Sequence, residues 1–295
     1  MPSPVRYYNR ASGRIEDEQI YGEKALRWTY ETGLGRVALA ALVKRPVFSR
    51  WFGWKMNRPA SAAAIAPFIR EFGLDPAEFA APPVSFASFN EFFFRKLKPA
   101  ARPIADVPGT LVFPADGRHF CIPVIGKETH VFAKGQRFDL ESLLGPDAAT
   151  FAGGSLLISR LCPVDYHRFH FPCAGTPGPA RLVNGPLFSV SPIALARNLA
   201  YLWHNKRAIT LLDTTHGQIA MIEIGATCVG TIHQTFQAGV PVAMGQEKGY
   251  FAFGGSCVIT VFPAGRIRFA DDLVHASADG LECLALMGQA MASVV

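Results

Sequence analysis

The chain has 295 residues, 49% hydrophobic and 18% charged, a globular composition with core volume for one or two domains that excludes a disordered protein. A formal net charge of +6 favours an anionic partner, whether lipid headgroup, nucleic acid or metabolite. No secretory leader is expected from Met1-Pro2-Ser3-Pro4-Val5-Arg6, and the longest early apolar run, Val37 to Val43, is far short of the roughly 20 residues a spanning helix needs.

Residues 1 to about 98 are predicted mostly helical. A segment around Ile20 to Tyr30 precedes Leu34 to Lys44, which Pro46 ends. Ser61 is placed as the cap of a helix whose Ile65, Phe68 and Ile69 recur at helical spacing. The next helix carries Phe89, Phe92 and Phe93 and ends at Arg95-Lys96-Leu97-Lys98-Pro99. Between these, Lys44, Arg45, Phe48, Arg50, Trp51, Phe52, Trp54, Lys55 and Arg58 mix cations with aromatics. That mixture suits a membrane interface, a single-stranded nucleic acid, or a helix with aromatics inward and charges solvated.

After Pro103 short apolar runs bounded by Gly, Pro and Asp predict strands at Thr110 to Phe113, Phe120 to Ile125, Ser155 to Leu161, Ile219 to Gly225 and Cys257 to Phe262. Short helices are expected around Leu140 to Leu144 and Ile193 to Leu202. The expected architecture is α+β, a helical N-terminal part (1–98) packed on a β-rich body (99–295). Six cysteines, at 121, 162, 173, 228, 257 and 283, form no Cys-x-x-Cys pair and read as reduced thiols of a cytoplasm.

Three stretches are dense in chemistry. Phe253-Gly254-Gly255-Ser256-Cys257 opens an apolar strand. A serine after two glycines has little bulk before it, so its hydroxyl can reach the Gly255 carbonyl; the plainer reading is a glycine turn entering a buried strand. Asp165-Tyr166-His167-Arg168-Phe169-His170 offers a base for a serine nucleophile, a poorly spaced metal site with the nearby cysteines, or two hydrogen-bonded histidines. In a regular strand His167 and His170 point to opposite faces, so lining one pocket requires a bulge or turn. Asp116 in Pro114-Ala115-Asp116-Gly117 reads as a turn residue or as the carboxylate that orients a histidine.

These blocks together resemble the phosphatidylserine decarboxylases, pyruvoyl-dependent enzymes. The resemblance is carried by Tyr7-Tyr8-Asn9-Arg10, Phe89 to Leu97, Pro114 to Gly117, Asp165 to His170, Phe188-Ser189-Val190 with Pro192, Val229-Gly230-Thr231-Ile232, Glu247 to Phe251 and Phe253 to Ser256. It covers nearly the whole chain and is nearest in style to the bacterial subgroup ending in Phe-Gly-Gly-Ser.

The resemblance implies self-cleavage between Gly255 and Ser256, leaving a β chain 1–255 and an α chain 256–295 as a heterodimer, with further homo-oligomerisation expected. Ser256 becomes the covalent pyruvoyl cofactor, a ketone that takes up the substrate amine. Asp116 and His170 complete the charge relay, and His167 stands near the substrate during decarboxylation of phosphatidylserine to phosphatidylethanolamine. No metal and no nucleic acid are implied, and the basic, aromatic stretch becomes a docking surface for the cytoplasmic side of the cell membrane. A serine hydrolase that does not cleave itself, or a lipid-binding protein with a degenerate site, are the alternatives. Three positions depart from the family pattern: Cys257 stands where threonine is usual, Met244 where lysine is frequent, and Gln289 where glutamate is usual.

Overall fold

A computed structural model describes residues 4–126, 138–227, 231–252 and 256–295. Its strands in chain order are β1 (Arg6–Asn9), β2 (Arg14–Asp17), β3 (Thr110–Val112), β4 (Gly117–Ile122), β5 (Ser155–Leu161), β6 (Arg168–His170), β7 (Thr176–Pro177) and β8 (Arg181–Val183). They continue with β9 (Arg207–Thr214), β10 (Gly217–Gly225), β11 (Ile232–Gln234), β12 (Glu247–Phe251), β13 (Ser256–Phe262), β14 (Ile267–Phe269), β15 (Glu282–Ala285) and β16 (Ala290–Val294).

Ten of these form one sheet in the order β2-β1-β15-β4-β5-β13-β10-β9-β7, with β8 also on β9. All its pairings are antiparallel except β1 with β15. Two three-stranded sheets accompany it, β11-β12-β6 and β14-β16-β3.

The central strand β13, Ser-Cys-Val-Ile-Thr-Val-Phe, is buried along its whole length. Such unbroken apolar runs suit strands covered on both faces. Cys257, Ile259 and Val261 enter a core with Ile158, Ile222 and Ile224. On the opposite face Phe262 joins Leu157, Met221 and Cys283. Near the strand start Val258 packs with Ala115, Leu161, Phe169 and Phe251.

The N-terminal helices are α1 (Glu23–Glu31), α2 (Gly33–Ala38), α3 (Pro46–Met56), α4 (Ile65–Phe72) and α5 (Phe89–Phe93), with a π-helical segment Leu39–Val43 before Pro46. Phe68 of α4 meets Phe89 and Phe92 of α5 edge to face. The α+β expectation holds, with three local corrections. Residues 6–17 form a hairpin, not a helix, because β1 gains a partner in β15. Ser61 caps no helix: its hydroxyl donates to the Met56 and Arg58 carbonyls and accepts from the Phe89 N–H, while α4 starts only at Ile65. The single helix expected over 193–202 is two short ones, α6 (Pro192–Leu195) and α7 (Tyr201–His204).

Candidate active site

Ser256 opens β13, opposite Leu161 of β5 and Gly225 of β10. Alternate residues share a strand face, so Ser256 stands on the face of Val258, and Cys257 on the other. The Ser256 side chain is fully buried and its Oγ makes no hydrogen bond among the described residues. Gly255, the residue before the expected break, lies outside the described residues, as do Phe253, Gly254, Cys228, Val229 and Gly230.

The histidine motif is shaped by what surrounds it. The Ser88 hydroxyl caps α5 by accepting from the Glu91 N–H, and the Glu91 carboxylate reaches back to accept from the Ala87 N–H just before the cap. This helix lays Phe93 on the His167 ring, centroids 3.8 Å apart, and the Phe94 carbonyl accepts from Arg168 Nε at 3.0 Å. His167 Nδ1 lies 3.0 Å from the Asp165 carbonyl, which defines a ring tautomer with the proton on Nδ1. Asp165 is itself fixed by Arg118 and by the Cys162 N–H.

His170 is the last residue of β6, and its N–H donates to the Pro114 carbonyl at 2.7 Å. That bond seats the histidine strand beside the Pro114–Asp116 turn. The pairing of β6 with β12 is bulged: Glu247 opposes His170 and Gly249 opposes Phe169. Burial pulls the His170 ring down to about 4, Glu247 opposing and Arg168 assisting. Its Nδ1 is buried without a hydrogen bond among the described residues. The ring is therefore neutral near pH 7, the form a general base requires.

Asp116 is buried, and its carboxylate is gripped by Arg102, Nη2 to Oδ2 at 2.6 Å and Nε to both oxygens at 2.9 Å, with the Met287 N–H on Oδ1 at 2.9 Å. Burial pushes this carboxyl up, against the downward pull of Arg102 and the Met287 amide. Gly117 follows at φ 156°, where a Cβ would collide with the Arg160 carbonyl, so the turn needs glycine. Arg102, Met287 and His170 line one cavity of about 360 Å³ with Tyr166 and Glu247.

Asp116, His170 and Ser256 thus come from three elements that meet at one apolar cluster: Ala115, Phe169 and Val258 are their near neighbours in sequence, and these three pack together. His167 adjoins it through its carbonyl, which accepts from the Phe251 N–H at 2.9 Å. No hydrogen bond joins Asp116 to His170 among the described residues. Cys257 faces the large apolar core, and burial pushes its thiol far up, so it behaves as a small hydrophobe.

Residues 89–292 match the sequence profile of the family Phosphatidylserine decarboxylase. The chain belongs to the phosphatidylserine decarboxylase family. A relative from Chlamydia muridarum (strain MoPn / Nigg), a phosphatidylserine decarboxylase proenzyme, is 46% identical over 289 residues, 97% of this chain and 96% of that one. Proenzymes of the same name from Chlamydia trachomatis serovar D and Desulfitobacterium hafniense (strain Y51) are 43% and 38% identical over 288 residues each. They cover 97% of this chain and 96% and 97% of their own.

Within this family member, in and around the site, are buried charged residues that sequence reasoning passed over. Arg102, the partner of Asp116, sits in a proline-flanked linker with no periodic signal. Arg160 and Glu223 had a signal, a charge inside an otherwise apolar strand. Arg160 is held by Glu18 and Glu282, and Glu223 by Lys248.

Proposed function

We propose that this chain decarboxylates phosphatidylserine to phosphatidylethanolamine after cutting itself between Gly255 and Ser256. The observation that carries this reading is Ser256 Oγ, buried at the start of a central strand with no hydrogen bond among the described residues, on the face where the histidine strand and the aspartate turn converge. A buried hydroxyl without a hydrogen bond is costly and calls for an explanation, which a role in chemistry supplies here.

In the proposed first reaction Ser256 Oγ attacks the Gly255 carbonyl carbon, and its proton passes to neutral His170. The Gly255–Ser256 C–N bond breaks as the C–O bond forms, so amide becomes ester. Loss of the Ser256 α-proton then expels the ester oxygen, and water releases ammonia to leave a ketone at residue 256. The surroundings suit that group: Ser256 is wholly buried, with the apolar Val258 cluster on its own strand face. Once formed, the ketone supplies a sink for the electrons left when the substrate carboxylate departs. Asp116, anchored by Arg102, supports the His170 wall of the site. His167, its Nδ1 proton fixed on the Asp165 carbonyl, returns a proton to the substrate α-carbon from Nε2 once that nitrogen has taken one from water.

The lipid would enter from the helical side. Along α3, Phe52 and Met56 pack inward on the phenylalanine cluster, while Val47, Trp51 and Trp54 form an exposed apolar stripe beside exposed Arg50 and Lys55. Aromatic and cationic groups on one outward face suit a peripheral site on an anionic leaflet. Among the described residues no helix is long and apolar enough to cross a membrane. Beneath α3 a cavity of about 730 Å³, with Arg50, Lys206 and His233 in its wall, runs in to Ile232, which packs against the Val258 cluster. Its cations suit the headgroup phosphodiester. Purified protein given phosphatidylserine vesicles should release CO₂ and be inactivated by cyanoborohydride, which reduces the Schiff base and spares the free ketone, only when lipid is present. CO₂ release without cyanoborohydride sensitivity, or a stable acyl-enzyme instead, would overturn the reading.

A further inference from the structure

One buried ionic cluster beside the site has no part in this chemistry. The side chains of Glu223 and Lys248 are wholly inaccessible, and Lys248 Nζ donates to Glu223 Oε2 at 2.9 Å. Nζ also donates to Gln234 Oε1 at 2.9 Å, and Gln234 Nε2 donates to the same Glu223 oxygen at 2.7 Å. The Lys248 ammonium lies over the rings of Phe169, at 5.6 Å, and Phe236, at 5.0 Å. Glu223 Oε1 is buried with no hydrogen-bond partner among the described residues.

The placement of the three residues is specific. Across β10 and β13, Glu223 faces Val258 and Gly225 faces Ser256. Glu223 is therefore on the Ser256 face, one pleat along. Lys248 is the extra residue of the bulge, between Glu247 opposite His170 and Gly249 opposite Phe169. Bulges re-aim a side chain, and this one directs Lys248 to β10 while keeping Glu247 beside the histidine. Gly249 makes the close approach feasible, since a Cβ there would strike the His233 carbonyl and the Phe169 ring. Gln234 adds β11, so the cluster ties the histidine-bearing sheet to the serine-bearing one.

A buried ion pair is a poor source of stability. Its desolvation cost offsets most of its attraction, and apolar residues of similar volume often do as well or better. What the pair adds is direction: two charges and an amide accept only one relative placement of their strands, where apolar side chains tolerate several. We propose that Glu223, Lys248 and Gln234 are positioning residues that register the His170 strand against Ser256. This rests on the proposed self-cleavage and adds to it the device that sets its geometry.

The test is the double variant Glu223→Leu/Lys248→Met, which keeps the volume and removes both charges. Its melting temperature, the rate of precursor cleavage after synthesis, and kcat and KM of the cleaved fraction on phosphatidylserine micelles are compared with the parent. The expected result is a folded protein of similar melting temperature that cleaves about 10- to 100-fold more slowly, with kcat lowered and KM unchanged. Should the double variant not fold, Glu223→Gln, which keeps the shape and can still accept from Lys248, carries the same comparison with a smaller slowing. Folded variants that cleave and turn over at the parental rate overturn the positioning role alone. A parent that never cleaves overturns the proposed function, and this role with it.

Discussion

The two faces of the main sheet at the start of β13 are both rich in buried polar groups, yet they treat them differently. On the Cys257 face Arg160 is saturated: Nε and Nη2 donate to Glu282, and Nη1 and Nη2 to Glu18. Arg118 and Asp165 pair close by at 2.7 Å. On the Ser256 face, Ser256 Oγ and Glu223 Oε1 are buried without hydrogen bonds among the described residues, and so is Nδ1 of the neighbouring His170. Paired charges fasten the N-terminal hairpin segment, through Glu18, to the strands. Arg118 Nε on the Cys257 face and the Thr210 and Thr260 hydroxyls farther along the sheet also lack hydrogen bonds among these residues, so the contrast rests on Ser256, Glu223 and His170 lying together where the chemistry is proposed.

Several substitutions break or sharpen this contrast. The largest effect is expected for His170→Ala, which removes the proposed base and should slow self-cleavage by about 10²- to 10⁴-fold, read from the precursor band over time. Next comes Arg160→Met on the satisfied face, which strands the Glu18 and Glu282 carboxylates. It should cost about 3–5 kcal/mol in urea unfolding, while the fraction that folds still cleaves. Loss of cleavage in folded Arg160→Met would erase the distinction between the faces.

Acid gives a gentler probe. His170 is held neutral down to about 4, below its ordinary value of 6.5. Protons then bind the unfolded chain before the folded one, so this group's contribution to stability declines as pH falls from about 6.5 towards 4. The self-cleavage rate should hold through pH 6 and fall with a midpoint near 4; a midpoint near 6.5 would mean an exposed base. The smallest effect on cleavage is expected for Cys257→Thr. The side chain lies on the face away from Ser256 in the apolar core, so the added hydroxyl should cost about 1–3 kcal/mol of stability while the cleavage rate stays near that of the parent.

Much of this was legible in the sequence where the signal is local. Ser155–Leu161 is one observed strand with the predicted ends, and Ser256–Phe262 starts one residue before its prediction, because both are unbroken apolar runs. Pro46 does separate two helical segments, and it also begins the second. The hairpin of residues 6–17 was not legible: its strands are short and polar, and their stability comes from pairing with β15 at the far end of the chain. Asp116 was singled out, but Arg102 was not, because only tertiary folding brings that linker to the turn. The histidine motif shows no bulge of its own: His167 precedes β6, the extra residue is Lys248 in the partner strand β12, and His170 lines the cavity with Arg102 and Met287 while His167 does not.

Intact-mass spectrometry of freshly purified protein, beside Ser256→Ala prepared identically, tests the central claim most directly. The expected spectrum has two species, residues 1–255 and a fragment 256–295 whose first residue carries a ketone in place of its amine, with the variant unbroken. A parent found as one intact polypeptide of 295 residues, indistinguishable from the variant apart from the lost oxygen, would contradict it.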